Sequence, residues 1–275
     1  MGSLDVAKKM IIEAKNAGAN YVKFQKRDNK YLLGEKYIEK HPVPSNSFGE
    51  SYGKHRDYLE FSLEQHKQLI KFSNKNKIKY AISVWEKNSA LQFIKIQKEI
   101  DYIKIPSACN LDFELLNILA DNFKKKIHIS LGMTKKNEIE KIFKFFKKKK
   151  RSKDLVIYVC CSAYPSRYED LNLLNLKLLK DKYSKYFSEL AFSGHHLGIS
   201  ADIAAYTLGA NIIERHFTLD RAWKGTDHAA SLEPNGFSKL SRDLNLVFVT
   251  MRQSFTNNIL ASEKKIRDKL KIFRD

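Results

Sequence analysis

Short β-rich runs alternate with helical patterns along the whole chain, and nothing else in the sequence constrains the fold as strongly. The runs are Tyr21–Gln25 (YVKFQ), Ile78–Val84 (IKYAISV), Tyr102–Ser107 (YIKIPS), Ile127–Leu131 (IHISL), Leu155–Ser162 (LVIYVCCS), Leu190–His195 (LAFSGH) and Ile212–Leu219 (IIERHFTL). Helical patterns occupy Asp5–Ala17, Leu63–Asn74, Asn88–Gln97, Phe113–Asn122, Lys136–Lys149, Leu171–Tyr183 and Ser200–Leu208. Strand–helix alternation at this spacing means βαβ units and a parallel sheet. The strands are apolar but carry polar residues at their C-terminal ends, where α/β proteins bind ligands.

A (β/α)8 barrel has eight strands and eight helices and opens on a strand. Here seven strands follow a leading helix, and a helix after Phe237 completes the series. The chain opens on Gly2-Ser3-Leu4-Asp5, which reads as a helix N-cap with an acid in the first turn. The expected fold is an α/β (β/α)8 TIM barrel lacking its first β-strand. The absent strand would leave sheet edges on Tyr21–Gln25 and Ile212–Leu219. Residues 1–275 are expected to form one barrel domain with a short C-terminal helical tail, since no linker or internal repeat divides them. One long connection, Lys26 to Phe61, carries Tyr31, Tyr37, Phe48, Tyr52 and Tyr58, and its length suits an active-site flap.

Composition narrows the partners. No run approaches the roughly 18 apolar residues of a membrane span, and the N-terminus has no apolar signal region. The three cysteines, Cys109, Cys160 and Cys161, are too few for a disulfide framework and predict a reduced, cytoplasmic protein. The net charge of +19 admits nucleic acid, an anionic membrane face or a small acidic substrate. Its densest run, Phe145–Arg151 (FFKKKKR), closes an amphipathic helical stretch and reads as solvated surface. No nucleic-acid-binding module is present, so neither nucleic acid nor membrane is the expected partner.

Three constellations carry chemistry. His195 and His216 close two adjacent strand runs, and strands about 4.8 Å apart would let both imidazoles meet one divalent ion. A hydrogen-bonded core histidine is the alternative. Lys23 and Lys104 lie in apolar strands, which is costly unless they meet an anion. Ser83, Ser107, Ser130 and Ser162 stand at strand ends beside them and describe a site for a phosphate plus a carboxylate; snorkelling lysines are the alternative. In the loop Lys224-Gly225-Thr226-Asp227-His228, Asp227 is either an acid/base or sugar-binding group or part of a surface turn. Tyr164-Pro165 is either an aromatic wall or a turn, and Cys160-Cys161 reads as buried strand packing.

Seven segments together resemble the sialic acid (N-acetylneuraminate) synthases. They are KFQ at 23–25, KIPSA at 104–108, ISLGM at 129–133, CCSAYPS at 160–166, FSGHHLGI at 192–199, IERHFTLD at 213–220 and KGTDHAASLEP at 224–234. The resemblance, which runs to about Arg252, implies a barrel that condenses phosphoenolpyruvate with N-acetylmannosamine or a related, free or 6-phosphorylated sugar. It also implies a divalent metal, Mn²⁺ or Mg²⁺. Carried over by position, His195 and His216 become the metal ligands, and Lys23, Ser83, Lys104, Ser107, Ser130, Ser162 and Ser193 hold phosphoenolpyruvate. Gln25, Tyr164 and Asp227 face the sugar, and Lys23, Lys104 and Asp227 are the expected catalytic groups. Ser83 and Ser162 stand where relatives carry threonine and often asparagine, Gly194 where many carry aspartate, and Cys109 where a polar residue is usual.

The resemblance also implies a homodimer; many such enzymes carry a small C-terminal antifreeze-like domain, which is expected to be absent here. The first strand of such enzymes brings a glutamate, so the functional enzyme is expected to start upstream of Met1. The 275-residue chain alone is expected to be poorly soluble, swapped or nearly inactive. The rival readings are another phosphoenolpyruvate-dependent 3-deoxy-ulosonate synthase, an inactive barrel and a basic nucleic-acid-binding protein.

Overall fold

The computed structural model describes residues 2–251 and 258–272. The expected tail and the end of the family resemblance fall partly on 252–257 and 273–275, outside the described residues. The chain enters through helix α1 (Leu4–Asn16), where the Ser3 hydroxyl accepts the Val6 N–H and Asp5 sits in the first turn, as expected of that opening. Strand β1 (Tyr21–Lys26) follows. The long connection after it is structured, with helices α2 (Asn29–Leu33) and α3 (Tyr52–Leu59) joined through short 3-10 turns. Helix α4 (Leu63–Lys75) opens on a capping box in which Ser62 and Gln65 satisfy each other's backbone donors.

Strand and helix then alternate strictly. The series is β2 (Lys79–Val84), α5 (Lys87–Lys95), β3 (Tyr102–Ile105), α6 (Phe113–Asn122), β4 (Lys126–Ser130) and α7 (Lys136–Lys148). It continues with β5 (Leu155–Cys160), α8 (Leu174–Tyr183), β6 (Glu189–Gly194), α9 (Ser200–Thr207), β7 (Ile212–Arg215) and α10 (Pro234–Thr250), and α11 (Ala261–Leu270) lies beyond.

All seven expected strands form where the sequence places them, but several stop early. β3 ends at Ile105 because Pro106 has no N–H for the ladder. β5 ends at Cys160, and β7 ends at Arg215, short of the expected Leu219, so that Phe217 makes only an isolated parallel bridge to Leu232. The lysine run closes α7 as expected: Ile142, Phe143 and Phe146 are buried, and Lys147 and Lys148 occupy the last turn.

The seven strands form one parallel sheet in the order β1-β2-β3-β4-β5-β6-β7. Its middle is closed on both faces: Ile82, Ile103, Ile105, Ile127, Ile129, Leu155 and Ile157 are all fully buried. Near-continuous apolar strands are what two-sided cover demands. The outer strands differ, since β1 and most of β7 are half-buried. The sheet nevertheless curls far enough for its two edges to meet through side chains: Lys23 on β1 and Glu214 on β7 form an ion pair at 3.7 Å. Among the described residues no strand lies between them. A cavity of about 970 Å³ runs along that seam, lined by Val6 and Met10 of α1, Val22 of β1, Ile213 of β7 and Leu240 of α10.

Candidate active site

The centre of the site is a carboxylate held by two lysines. Lys104 on β3 donates to Glu214 Oε1 at 2.5 Å, the Ser193 hydroxyl on β6 donates to the same oxygen at 3.0 Å, and Lys23 approaches Oε2 at 3.7 Å. Four strands, β1, β3, β6 and β7, are thereby gathered at one point. Parallel register brings Ser193 beside Glu214, and Ser83 beside both Gln25 and Lys104. Burial alone would raise the Glu214 pKa, but Lys104, Lys23 and the hydrogen bonds from Lys104 and Ser193 outweigh it and hold the group well below the usual carboxylate range. Burial pushes the Lys23 ammonium down, and Glu214 partly offsets that. Lys104 Nζ also lies 4.1 Å over the Tyr158 ring.

The hydroxyls collect around one glycine. A Cβ on Gly132, just past β4, would stand 2.3 Å from Ser162 Oγ, 2.8 Å from Ser107 Oγ and 2.9 Å from Cys160 Sγ. No side chain fits there, and its absence lets the ends of β3 and β5 close over the end of β4. Ser83 and Ser130 are buried within β2 and β4. The expectation that Cys160-Cys161 is buried strand packing is corrected for Cys160. Both residues are only half-buried, Cys160 Sγ lies 3.3 Å from Ser107 Oγ, and the Cys161 carbonyl serves a site histidine. Cys160 thus faces the site where β5 ends, whereas the Cys161 side chain, just past the strand, packs against the apolar core as expected.

The two strand-end histidines do converge, with ring centroids 5.3 Å apart. The Cys161 carbonyl lies 2.6 Å from His195 Nδ1, so Nδ1 carries the proton and Nε2 keeps its lone pair. Burial first, then His216, pushes His195 down to about 4. Burial also lowers His216, against the pull of Asp227, whose Oδ2 lies 3.8 Å from His216 Nδ1. Two neutral imidazoles, one with a fixed free nitrogen, fit a divalent metal. No group of three or more His, Cys, Asp or Glu side chains could hold an ion among the described residues, so water and substrate would complete such a shell. Tyr164 packs over both rings, at 4.2 Å from His195 and 5.7 Å from His216, as a wall would.

Behind this pair lies a buried network. Arg215 donates to Asp202 at 2.6 Å, to the Gly198 carbonyl at 2.7 Å and to the His196 carbonyl at 2.5 Å. His196 and Arg215 each directly adjoin a metal-candidate histidine in sequence, so this cross-link from β7 to the segment after β6 sets the distance between them. Gln25 is half-buried, and its carbonyl accepts from Trp85 Nε1 at 3.1 Å and from the Arg27 guanidinium. Asp227 accepts from the Thr226 hydroxyl at 3.0 Å.

Reading by residue type missed Glu214, Arg215 and Asp202. For Glu214 the signal was present, since a charge in an apolar strand needs a partner whether it is acidic or basic. Asp202 lies in an ordinary helical pattern, and nothing in the sequence marks it.

The NeuB family model matches residues 10–255. The chain belongs to the NeuB family. The match bears out the resemblance read from the seven segments. N-acetylneuraminate-9-phosphate synthase from Homo sapiens is 34% identical over 271 residues, which cover 98% of this chain and 73% of that one. N,N'-diacetyllegionaminic acid synthase from Campylobacter jejuni is 31% identical over 268 residues, covering 96% and 78%. Among solved structures, the N-acetylneuraminic acid (sialic acid) synthetase from Leptospira borgpetersenii, determined with citrate, aligns with a TM-score of 0.81 at 28% identity, covering 99% of this chain and 89% of that one. A phospho-2-dehydro-3-deoxyheptonate aldolase from Thermotoga maritima, 12% identical with a TM-score of 0.67 over 90% and 67% of the two chains, shares the fold. The NeuB chain is thus an α/β barrel-type enzyme of the sialic acid synthase kind, a C–C bond-forming transferase, seen with seven strands. No described helix is long and apolar enough to cross a membrane.

Proposed function

We propose that this NeuB-family chain condenses phosphoenolpyruvate with an N-acylated hexosamine, N-acetylmannosamine or a relative, to give a sialic-acid-like nonulosonate and inorganic phosphate. The observation that carries this reading is the convergence of Lys23 and Lys104 on one point beside the His195–His216 pair. A triply charged enol phosphate needs concentrated positive charge and hydroxyl donors, and a reacting aldehyde needs an electrophilic site next to them.

C3 of the enol attacks the aldehyde carbon of the open-chain sugar and forms the new C–C bond. Water adds at C2 and loses a proton, and the C2–O bond breaks as phosphate departs with the electron pair. Lys23 and Lys104 bind the phosphate and carboxylate, while Ser83, Ser107, Ser130, Ser162 and Ser193 donate to their oxygens. Glu214 keeps the two ammonium groups close without mutual repulsion and aims Lys104 and Ser193. Gln25 and Asp227 hold sugar hydroxyls, and Asp227, beside His216, is placed to move a proton there. Tyr164 covers the histidines and excludes water from the reacting carbon. A divalent metal, Mn²⁺ or Mg²⁺, held by His195 and His216 would supply Lewis-acid polarisation of the aldehyde oxygen.

The test is phosphate release from phosphoenolpyruvate against a panel of hexosamines. Release that requires an N-acylated hexosamine, stops with chelator and returns with Mn²⁺ or Mg²⁺ is expected. Release with tetrose or pentose phosphates and not with N-acylated hexosamines would move the chain to another ulosonate synthase class. Full activity in excess chelator would remove the metal assignment.

A further inference from the structure

The two faces of the sheet are filled differently. Side chains alternate between faces along a strand, and on β5 Leu155, Ile157 and Val159 join the large core shared with the helices. Val156 and Tyr158 point the other way, into a separate small cluster with Ala191 and Ile212. In a (β/α)8 barrel each interior layer takes its side chains from alternate strands. Here β1, β3, β5 and β7 bring Lys23, Lys104, Tyr158 and Glu214 into one layer. Both lysines reach Glu214, and Lys104 Nζ lies 4.1 Å over the Tyr158 ring. Three of the four are the charged groups of the site, and Tyr158 is the fourth.

The Tyr158 ring is itself held from neighbouring strands. Its hydroxyl lies 2.9 Å from His128 Nδ1 on β4. The Tyr102 ring of β3 stacks flat on that imidazole, with centroids 3.7 Å apart and planes 7° from parallel. Tyr21 of β1 tilts against Tyr102 at 5.6 Å. Tyr102, His128 and Tyr158 are all buried. A chain of rings running from β1 to β5 therefore fixes the plane that Lys104 meets.

An ammonium has three N–H groups. Glu214 takes one from Lys104, and the ring face attracts a second through its negative quadrupole. The third is left for a ligand. Two lysines share one carboxylate, so the layer keeps a surplus of positive charge for an anion. A carboxylate in place of the ring would hold Lys104 but cancel that surplus. An aliphatic side chain would preserve the surplus but let the flexible four-carbon stem swing. We propose that Tyr158, anchored by His128, is a positioning residue for Lys104, aiming its ammonium at the anionic substrate without neutralising it. This rests on the reading of Lys104 as a phosphoenolpyruvate-binding group.

The test combines phosphoenolpyruvate calorimetry, steady-state turnover and the NMR shifts of the Lys104 ε-protons. Tyr158→Leu should raise Kd and KM for phosphoenolpyruvate about tenfold, the scale of a desolvated cation–π contact, and leave KM for the sugar unchanged. Tyr158→Phe keeps the ring face and should recover most of that affinity. In a Lys104→Met background Tyr158→Leu should cost nothing further, because both changes act through one group. The Lys104 ε-protons should lie upfield, under the ring current, in the wild type and Tyr158→Phe, and return to their ordinary position in Tyr158→Leu. Wild-type affinity in Tyr158→Leu, additive losses in the double variant, or no upfield shift in the wild type would each overturn the proposal. A wild type that shows the shift but binds no phosphoenolpyruvate would instead overturn the proposed reaction and leave the support of Lys104 by Tyr158 standing.

Discussion

The middle of the sheet and its seam solve opposite problems. Strands β2 to β5 are paired on both sides, covered on both faces and filled with isoleucine, so their geometry needs no charge to hold it. β1 and β7 each have one sheet neighbour among the described strands, and the contact between them is the Lys23–Glu214 ion pair. The groups with the most chemistry to do, Lys23, Glu214 and His216, therefore sit where the backbone supports them least. An apolar core tolerates no displacement, whereas ion pairs and hydrogen bonds can re-form around a ligand. The difference teaches that in this barrel the site is itself part of the clasp.

The sharpest way to test that contrast is at the seam. His216→Ala should cost turnover on the order of a thousandfold or more, because Lewis-acid stabilisation is worth several kcal/mol, while circular dichroism shows an intact fold. Wild-type turnover by that variant would break the assignment.

Glu214→Gln comes next. It leaves Lys104 and Lys23 facing each other without compensation, a change that costs about 3–5 kcal/mol when the pair is fully buried. With 18% of the Glu214 side chain exposed, the low end, about 3 kcal/mol, is expected in urea unfolding. A change below about 1 kcal/mol would mean that the seam is held by something other than charge.

Acid separates the groups by onset, histidines before Glu214. His66 and His128, packed in the closed part, are pushed down to about 3, by burial first and then by Lys26 and Lys104 respectively. The unfolded chain takes up those protons near 6.5, so their contribution is whole above that pH and is lost as pH falls toward 3. Glu214 has a depressed pKa, so its contribution is whole above its ordinary 4.5 and is lost below that. Stability should thus decline first through the depressed histidines, in the core and at the seam alike, and only later through Glu214. His66→Phe should flatten the slope of unfolding free energy between those limits by up to about 1.4 kcal/mol per pH unit. An unchanged slope would mean that His66 is already protonated in the fold.

The smallest effect belongs to the middle. Ile103→Val should cost only about 0.5–1.5 kcal/mol and leave KM for phosphoenolpyruvate as it was. A large rise in that KM would show that packing in the closed part tunes the site directly.

The two regions also differ in how readily the sequence discloses them. The closed part is legible because apolar runs and helical spacing are local properties, and every strand between Ile78 and Leu219 falls where that pattern puts it. Strand ends are less so, because a ladder stops for reasons such as the missing N–H of Pro106 that leave hydropathy unchanged. In the site, Lys23, Lys104, His195 and His216 stand out as polar intrusions into apolar strands. Glu214 obeys the same rule but hides beside His216. Asp202 lies in an ordinary helical pattern, and only the fold brings it to Arg215. Cys160 was assigned to packing because sequence alone does not show that β5 stops there.

The strand order has a consequence for labelling with deuterium. Amides in β4 lie between two partners, whereas the outward-facing amides of β1 and β7 have none in the sheet. Exchange should therefore spread inward from the first and last strands of the sheet, 21–26 and 212–215. The Lys23–Glu214 ion pair slows both at once, so Glu214→Gln should quicken exchange in the two segments together. The pair acts as a reversible staple between the first and last strands, and the loop it closes runs through every strand of the sheet.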